Sequence, residues 1–279
     1  MYKAYTVVIL LCLLPHLGVA QSQLLYKEVG NDSLYIEFDL PDGNLQKPSP
    51  LVVFFFGGGW NTGSINQFRP HADYLRKRGM ATALVDYRVY NRNGTSPFAS
   101  LRDAKSSIRY LRKHADSLGI DPKRIAAAGG SAGGHLAAAT ALIEAYNEPK
   151  DDLSISCQPD ALILFNPVID NGPAGYGYER IQEQYPYFSP LHNVKEGAPP
   201  TSILIGTKDH LIPVETIEYF KMQMQKVGSR CDLNLYEDQK HGFFNYKNFN
   251  NYKETLLEAD LFLQSLSWLK SEPKIEIKP

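Results

Sequence analysis

The sequence has no excess of charge of either sign, few cysteines and no low-complexity segment. Its 279 residues carry 29 lysines and arginines against 30 aspartates and glutamates, so a concentrated basic surface for nucleic acid is not expected. The 3 cysteines form no Cys-x-x-Cys pair, and no His-Glu-x-x-His motif occurs. A zinc site is therefore not expected. What remains is an ordinary globular composition, long enough for one large domain or two small ones, with no cofactor implied.

The one long apolar run lies at the N-terminus. Lys3 precedes an apolar stretch at 7–14, and the small residues 18–20 resemble a cleavage site. This pattern predicts a signal peptide over 1–20 and therefore a secreted or periplasmic protein. A membrane anchor is the alternative, but the apolar stretch is too short to cross a bilayer core of about 30 Å. We therefore expect no membrane span.

Two cysteines remain after the predicted cleavage, Cys157 and Cys231. In an exported protein they could form a disulfide, because such compartments are oxidising. They could equally be two buried free thiols, and the sequence leaves both alternatives open.

Apolar runs with the character of buried strands alternate with amphipathic helical patterns along the chain. Strands are predicted at 34–38, 51–56, 80–85, 125–128, 161–165, 202–205 and 233–236. Helices are predicted near 68–78, 97–118, 132–146, 213–227 and 251–269. Repeated strand–helix units indicate an α/β fold with a mostly parallel sheet and helices on both faces. We expect one domain over 21–270 with a tail at 271–279.

An irregular segment rich in glycine, proline and tyrosine separates two of the predicted core strands. It covers about 167–200. Its many aromatic residues argue against a disordered spacer. A lid-like insertion is the favoured interpretation.

A nucleophile motif follows the strand predicted at 125–128. Gly129, Ser131 and Gly133 match G-x-S-x-G between a strand and a helix. In that setting the serine lies on a strained turn with its oxygen exposed. The N–H of Ala132 can then point at a developing oxyanion. The alternative is a glycine-rich turn that only packs strand against helix.

Three consecutive glycines, 57–59, follow the strand predicted at 51–56. Glycines let the backbone approach a ligand closely, and this position supplies further oxyanion donors in serine hydrolases of this type. A flexible turn is the alternative. A phosphate-binding loop fits poorly, because no Gly-Lys-Ser/Thr follows.

Ser131 needs a general base and an acid that orients it. His241 follows the last predicted strand, and it comes after the serine and the acid in the chain order that this arrangement requires. Asp209 follows the strand at 202–205 and is the favoured acid, although it could instead cap a helix. Asp170 and Asp238 are weaker candidates.

Taken together, these motifs resemble the hormone-sensitive-lipase-like carboxylesterases, and most closely their small acetyl and feruloyl esterases. The resemblance covers about 50–270. It rests on 57–60, 86–88, Asp103, 119–122, 130–134, Asp209 and 241–243. It implies an α/β-hydrolase fold and a serine esterase without a cofactor. It also implies that Gly58, Gly59 and Ala132 supply the oxyanion N–H groups.

Two departures from the family pattern bear on the site. Relatives usually have a histidine before the three glycines, where it orders the loop by hydrogen bonding, but here the residue is Phe56. Many relatives also carry an N-terminal helical cap, whereas here only a short segment precedes residue 51. A minimal cap leaves the site open and suits short acyl or aryl esters on a small molecule or a polysaccharide.

Trp60 and Phe243 are the residues expected to contact substrate, although ordinary packing is the alternative. Two other functions compete with an esterase. One is a serine peptidase of the same fold, and the other is a non-catalytic binding protein on a hydrolase scaffold.

Overall fold

A computed structural model of the protein describes residues 22–43 and 48–279. The predicted signal peptide at 1–20 lies outside these residues. The described chain forms one eight-stranded sheet in the order β1-β2-β4-β3-β5-β6-β7-β8. The strands are β1 (Ser22–Val29), β2 (Asp32–Asp39), β3 (Ser49–Phe55), β4 (Ala81–Val85), β5 (Ile120–Gly130), β6 (Ala161–Phe165), β7 (Thr201–Gly206) and β8 (Cys231–Tyr236).

Only the first two pairings, β1 with β2 and β2 with β4, are antiparallel. All pairings from β4 to β8 are parallel. This confirms the predicted α/β class. The helices are α1 (Arg69–Arg78), α2 (Tyr90–Asn93), α3 (Pro97–Lys113), α4 (Ala115–Leu118), α5 (Ala132–Leu142), α6 (Tyr178–Ile181), α7 (Tyr185–Phe188), α8 (Val214–Lys226) and α9 (Phe249–Ser265). Single 3-10 turns cover Ile65–Phe68, Gln182–Gln184 and Pro190–Asn193.

The central strands are buried on both faces, as their unbroken apolar runs predicted. Successive residues of β3 point into two separate cores. Val53 and Phe55 join a core covered by α3, α5 and α8. Val52 and Phe54 join a core covered by α1 and α9. No helix in the described ranges has both the length and the apolar run that a bilayer crossing would require.

Strand β1 was not predicted, because its residues mix polar and apolar types with no regular alternation. It pairs with β2 across a two-residue turn, with Val29 opposite Asp32. Gly30 takes a left-handed backbone conformation in that turn, with φ of +60°. The segment before β3 thus contributes sheet, and its described residues contain no cap helix.

The predicted helix at 132–146 was too long. Helix α5 ends at Leu142, and Ile143 is already extended, with φ of −95° and ψ of 125°. The ammonium of the fully buried Lys105 donates to the carbonyls of Ile143 (2.6 Å), Glu144 (3.3 Å) and Ala145. The amine therefore satisfies carbonyls just beyond the helix end, which the local sequence pattern does not reveal.

The helix predicted at 97–118 is also interrupted, because His114 leaves helical geometry between α3 and α4. Strand β5 is longer than predicted and begins at Ile120. Cys157 and Cys231 are free thiols in the part of the chain that the structure describes.

The segment at 167–200 contains α6, α7 and two 3-10 turns. Its buried residues Ile169, Ile181 and Phe188 join the core over α3 and α5. The segment is thus anchored to the domain by apolar packing, and its role as a lid stays a prediction.

Candidate active site

Ser131 lies on the sharp turn between β5 and α5. Its φ of +54° is unusual for a residue with a side chain, and its ψ is −120°. Only glycine fits two residues before and two residues after the serine. A Cβ on Gly129 would lie 2.3 Å from the carbonyl oxygen of Gly133, and one on Gly133 would lie 2.0 Å from that of Phe55. The serine N–H donates to the carbonyl of Phe165 at 3.0 Å, which fixes the turn against β6.

The three predicted catalytic residues meet at this turn. Nε2 of His241 lies 2.9 Å from Oγ of Ser131, and Nδ1 lies 2.7 Å from Oδ2 of Asp209. A carboxylate can only accept, so Nδ1 carries the proton and Nε2 is free to accept from the serine hydroxyl. The other oxygen of Asp209, Oδ1, accepts from the N–H groups of Leu211 (2.9 Å) and Ile212 (3.1 Å). The buried carboxylate is therefore fixed in orientation.

The two weaker acid candidates are engaged elsewhere. Asp238 pairs with Lys208 at the surface. Asp170 accepts from a nearby backbone N–H at 2.8 Å. Asp209 is not the cap of the following helix, because the N-cap of α8 is Pro213.

Two other histidines near the sheet are unsuited to proton transfer at neutral pH. His71 and His135 are fully buried, and burial lowers the pKa of each to about 3. His135 packs locally, with Nε2 2.9 Å from the carbonyl of Phe188. His241 keeps 16% of its side chain exposed and contacts both partners.

The glycine loop lies directly against the serine turn, because β3 and β5 are paired neighbours. A methyl group on Gly57 would come within 3.4 Å of the Ser131 Cβ. Gly58 and Gly59 have φ of +121° and +63°, a backbone region that favours glycine. Ala132 opens α5, so its N–H has no acceptor within the helix. The structure thus places the glycine loop and the first residue of α5 beside Ser131, and the oxyanion role of Gly58, Gly59 and Ala132 stays a prediction.

Phe56 stabilises this loop by packing instead of by a side-chain hydrogen bond. Its ring stacks on that of Tyr87, with centroids 4.0 Å apart. The Tyr87 hydroxyl donates to the carbonyl of Phe56 at 2.5 Å. Burial raises the pKa of Tyr87 well above its usual value, so the hydroxyl stays protonated as a donor. The N–H of Gly57 donates to Oε1 of Gln67 at 2.6 Å.

Arg180 of the 167–200 segment reaches the other side of the loop. Its guanidinium donates to the carbonyl of Gly59 and, at 3.3 Å, to Oδ1 of Asn61. It also lies over the Trp60 ring, 5.1 Å from the centroid. The segment therefore contacts the glycine loop through a charged side chain.

The two residues predicted to contact substrate are both buried in the structure. Trp60 has no exposed surface and packs against His135 and Phe188, with ring centroids 5.1 and 6.0 Å away. Phe243 is 3% exposed and packs against Tyr236. Burying a large aromatic ring stabilises the fold more than exposing it in an open site, so both rings turn inward.

Three residues near the site carried no sequence motif. Gln67 and Arg180 contact the glycine loop, and Oδ1 of Asn166 accepts from the N–H of Gly242 at 2.9 Å. Each reaches the site from a different segment, so no local pattern marks it. The position of Asn166, directly after β6, was the only available signal.

Comparison with known proteins agrees with this fold. Residues 37–174 match the family model described as BD-FAE, and residues 172–272 match the dienelactone hydrolase family. The structure of Thermogutta terrifontis esterase 2 phosphoramylated by tabun superposes with a TM-score of 0.86 at 41% identity, covering 90% of this chain and 97% of that one. The chain belongs to the α/β-hydrolase esterases. The structure of the same Thermogutta esterase bound to propionate superposes with a TM-score of 0.84 at 40% identity, covering 91% of this chain and 97% of that one.

Curated relatives of this esterase-family chain are more distant. An acetylxylan esterase of Xylanibacter ruminicola is 29% identical over 240 residues, covering 80% of this chain and 45% of that protein. A probable carboxylic ester hydrolase of Mycobacterium tuberculosis, LipM, is 27% identical, covering 74% of this chain and 52% of that protein. The chain spans about half the length of these curated relatives. The family inferred from the motifs is confirmed.

Proposed function

We propose that the protein is a serine carboxylesterase in which Ser131 is the nucleophile, His241 the general base and Asp209 the orienting acid. The observation that carries this proposal is the continuous pair of hydrogen bonds from serine to histidine (2.9 Å) and from histidine to aspartate (2.7 Å). A nucleophile, a base and an orienter in mutual contact are the parts that acyl transfer needs.

In the first step the oxygen of Ser131 attacks the ester carbonyl while its proton passes to Nε2 of His241. Asp209 stabilises the imidazolium that forms. The negative charge that develops on the carbonyl oxygen faces the N–H groups of Gly58, Gly59 and Ala132. The tetrahedral adduct then collapses, and the histidine gives its proton to the departing alcohol.

In the second step water replaces the alcohol. The water oxygen attacks the acyl-enzyme carbonyl while Nε2 of His241 takes a proton from the water. The second tetrahedral adduct breaks its bond to the serine oxygen, which regains the proton from His241. The carboxylic acid leaves, and the enzyme returns to its starting state.

For the substrate we propose a short acyl or aryl ester, including esters on a bulky alcohol such as a polysaccharide. The described residues before β3 form the two strands β1 and β2 and no helical cap, which favours an accessible serine. An acetylxylan esterase among the relatives and propionate- and butyrate-bound structures of the Thermogutta esterase support the same direction.

The protein is proposed to be exported, secreted or periplasmic, on the strength of the N-terminal sequence pattern. Mass spectrometry of the mature protein tests this. A mature chain that begins at Gln21 supports the proposal, and an intact N-terminus in the cytosolic fraction contradicts it.

The activity is tested with para-nitrophenyl acetate, butyrate and octanoate, alongside the matching para-nitroanilide of acetate. We expect hydrolysis that is fastest on acetate and abolished in Ser131→Ala. Faster cleavage of the anilide than of the ester would favour a peptidase. Equal and negligible hydrolysis by wild type and Ser131→Ala would favour the binding-protein alternative.

A further inference from the structure

One side chain joins the glycine loop to the loop of the catalytic histidine. Oε1 of Gln67 accepts from the N–H of Gly57 at 2.6 Å, and its Nε2 donates to Oδ1 of Asn245 at 2.9 Å. Nδ2 of Asn245 in turn donates to the carbonyl of Gly242, next to His241, at 2.7 Å. The two halves of the catalytic machinery are thus connected by a relay of two side-chain amides.

We propose that Gln67 is a positioning residue for ester hydrolysis, holding the oxyanion loop in register with His241. The inference rests on the serine esterase proposed above. Phe56, which directly precedes the three glycines, has no side-chain donor or acceptor with which to hold the loop. Gln67 supplies a polar anchor for the loop from a separate 3-10 turn, Ile65–Phe68.

The direction of every hydrogen bond in the relay is fixed by its two ends. The first group is a backbone N–H, which can only donate, and the last is a backbone carbonyl, which can only accept. Gln67 must therefore present its oxygen to Gly57 and its amino group to Asn245. Asn245 must then present its amino group to Gly242. Rotating either amide by 180° would set two donors or two acceptors against each other.

The histidine loop is held from its other side as well. The N–H of Gly242 donates to Oδ1 of Asn166, directly after β6, at 2.9 Å. Gly242 has φ of +79°, so it forms a turn that needs such support. The side-chain amide of Asn248 also donates to the carbonyl of Gly242, at 3.2 Å. Both polar groups of Gly242 are therefore bonded, and the relay to Gln67 is one of several supports.

The consequence for catalysis lies in the direction of the loop amides. The N–H of Gly57 is bound to Gln67 and is therefore not available to a substrate carbonyl. That bond fixes the peptide plane from which the N–H groups of Gly58 and Gly59 follow. Their alignment matters most when the oxyanion has formed, because the stabilisation of that charge depends strongly on donors that are already in place. Losing Gln67 should therefore slow the chemical step more than it weakens substrate binding.

The test uses Gln67→Met and Asn245→Leu, which keep side-chain volume but remove the amides, and the double variant. We expect each single variant to lower kcat about 10- to 100-fold, less than the loss of an oxyanion donor, with KM within about twofold of wild type. Because the residues act through one relay, the double variant should lie within about twofold of the worse single variant. Gln264→Met, in α9 and remote from the site, is the matched control and should leave kcat unchanged.

A second readout separates positioning from simple structural support. A trifluoromethyl ketone forms a tetrahedral adduct with the serine, so its affinity should fall in parallel with kcat. The affinity for the product acid should stay unchanged, and so should the far-UV circular dichroism. Unchanged kcat in a folded Gln67→Met, a change in KM alone, or additive losses in the double variant would each overturn the proposal.

If Gln67→Met does not fold, Asn245→Leu alone decides the question. It breaks the relay between Gln67 and the carbonyl of Gly242 and leaves the bond between Gln67 and Gly57 in place. A selective loss of kcat supports the relay, and an unchanged kcat rejects it. Failure of the proposed function looks different, because wild type would then show no hydrolysis that depends on Ser131. In that case both proposals fall.

Discussion

The turn that carries Ser131 and the glycine loop that faces it are held by different forces. Steric fit holds the turn, where backbone atoms occupy the space that a side chain on Gly129 or Gly133 would need. Side chains hold the loop, through Gln67 on one side and Arg180 on the other. A turn defined by sterics can be recognised in a short stretch of sequence, whereas a loop defined by distant partners cannot.

The largest effect should come from removing the reacting atom on the serine turn. We expect Ser131→Ala to lower kcat on para-nitrophenyl acetate by at least about three orders of magnitude, because the triad acts as a unit. The stability of the fold should change little. Steady-state assays with Ser154→Ala, an exposed serine, as control give the comparison. Retained turnover in Ser131→Ala would assign the nucleophile elsewhere.

A steric change in the same turn should come next. The Cβ that Gly133→Ala adds would lie 2.0 Å from the carbonyl oxygen of Phe55, so β3 and the turn must move apart. We expect kcat to fall about 100-fold or more, since ångström-scale displacements of catalytic groups cost that much. Gly228→Ala is the control, because it has a positive φ of +76° but open space around it. It should cost about 1 kcal/mol of stability and leave kcat unchanged. Equal behaviour of the two variants would refute the steric account.

A smaller effect is expected where a side chain holds the loop. Arg180→Met removes the bond to the carbonyl of Gly59 but keeps an unbranched chain over Trp60. We expect kcat to fall about 10-fold with a slight decrease in Tm, because the backbone of the loop can still form. Arg230→Met, which also removes a cation from an aromatic ring, is the control. If Arg180→Met behaves like Arg230→Met in the kinetic assay, the 167–200 segment does not support the loop.

The smallest effect on activity is expected from replacing His71, which lies in the core behind the serine turn and the glycine loop. His71 packs against Phe68, next to Gln67, and against Phe244, which fills the space behind Gly130. Neither of its ring nitrogens has a hydrogen-bond partner among the described residues.

Burial lowers the pKa of His71 to about 3 from a usual 6.5. The neutral form is therefore favoured in the folded state, and stability is lost as the pH falls from 6.5 towards 3. At pH 5 the loss is about 2 kcal/mol, at about 1.4 kcal/mol per pH unit. His71→Phe should remove this dependence and leave kcat at pH 7.5 within about twofold of wild type. Urea unfolding of both proteins at pH 7.5 and pH 5 measures this dependence. If the free energy of unfolding falls between the two pH values by the same amount in His71→Phe as in wild type, His71 is not the source of the dependence.

The sequence was sufficient to predict that Ser131, Asp209 and His241 lie together, because each of them follows the end of a strand. In a parallel sheet those ends meet at one edge, so position along the chain translates into position in space. The direction of a side chain is not encoded in that way. Trp60 follows the glycine loop directly, yet its ring turns into the core.

The remaining errors share a physical cause, which is contact between distant segments. Helix α5 stops early where Lys105 donates to carbonyls just beyond its end. Strand β1 exists because β2 offers it an edge, although its own pattern is weak. Gln67 and Arg180 belong to the same class, because their importance comes from partners that no short motif contains.

Helix α5 joins the nucleophile turn to the buried amine of Lys105, and every residue of its 11 is buried. Neither end of such a helix is free to fray into solvent, because one end is the serine turn and Lys105 holds the carbonyls just past the other. Its backbone amides can therefore exchange hydrogen for deuterium only when the whole domain opens. The amide exchange rate of α5 should therefore report the global free energy of unfolding, so this one helix can be used to measure the stability of the whole molecule.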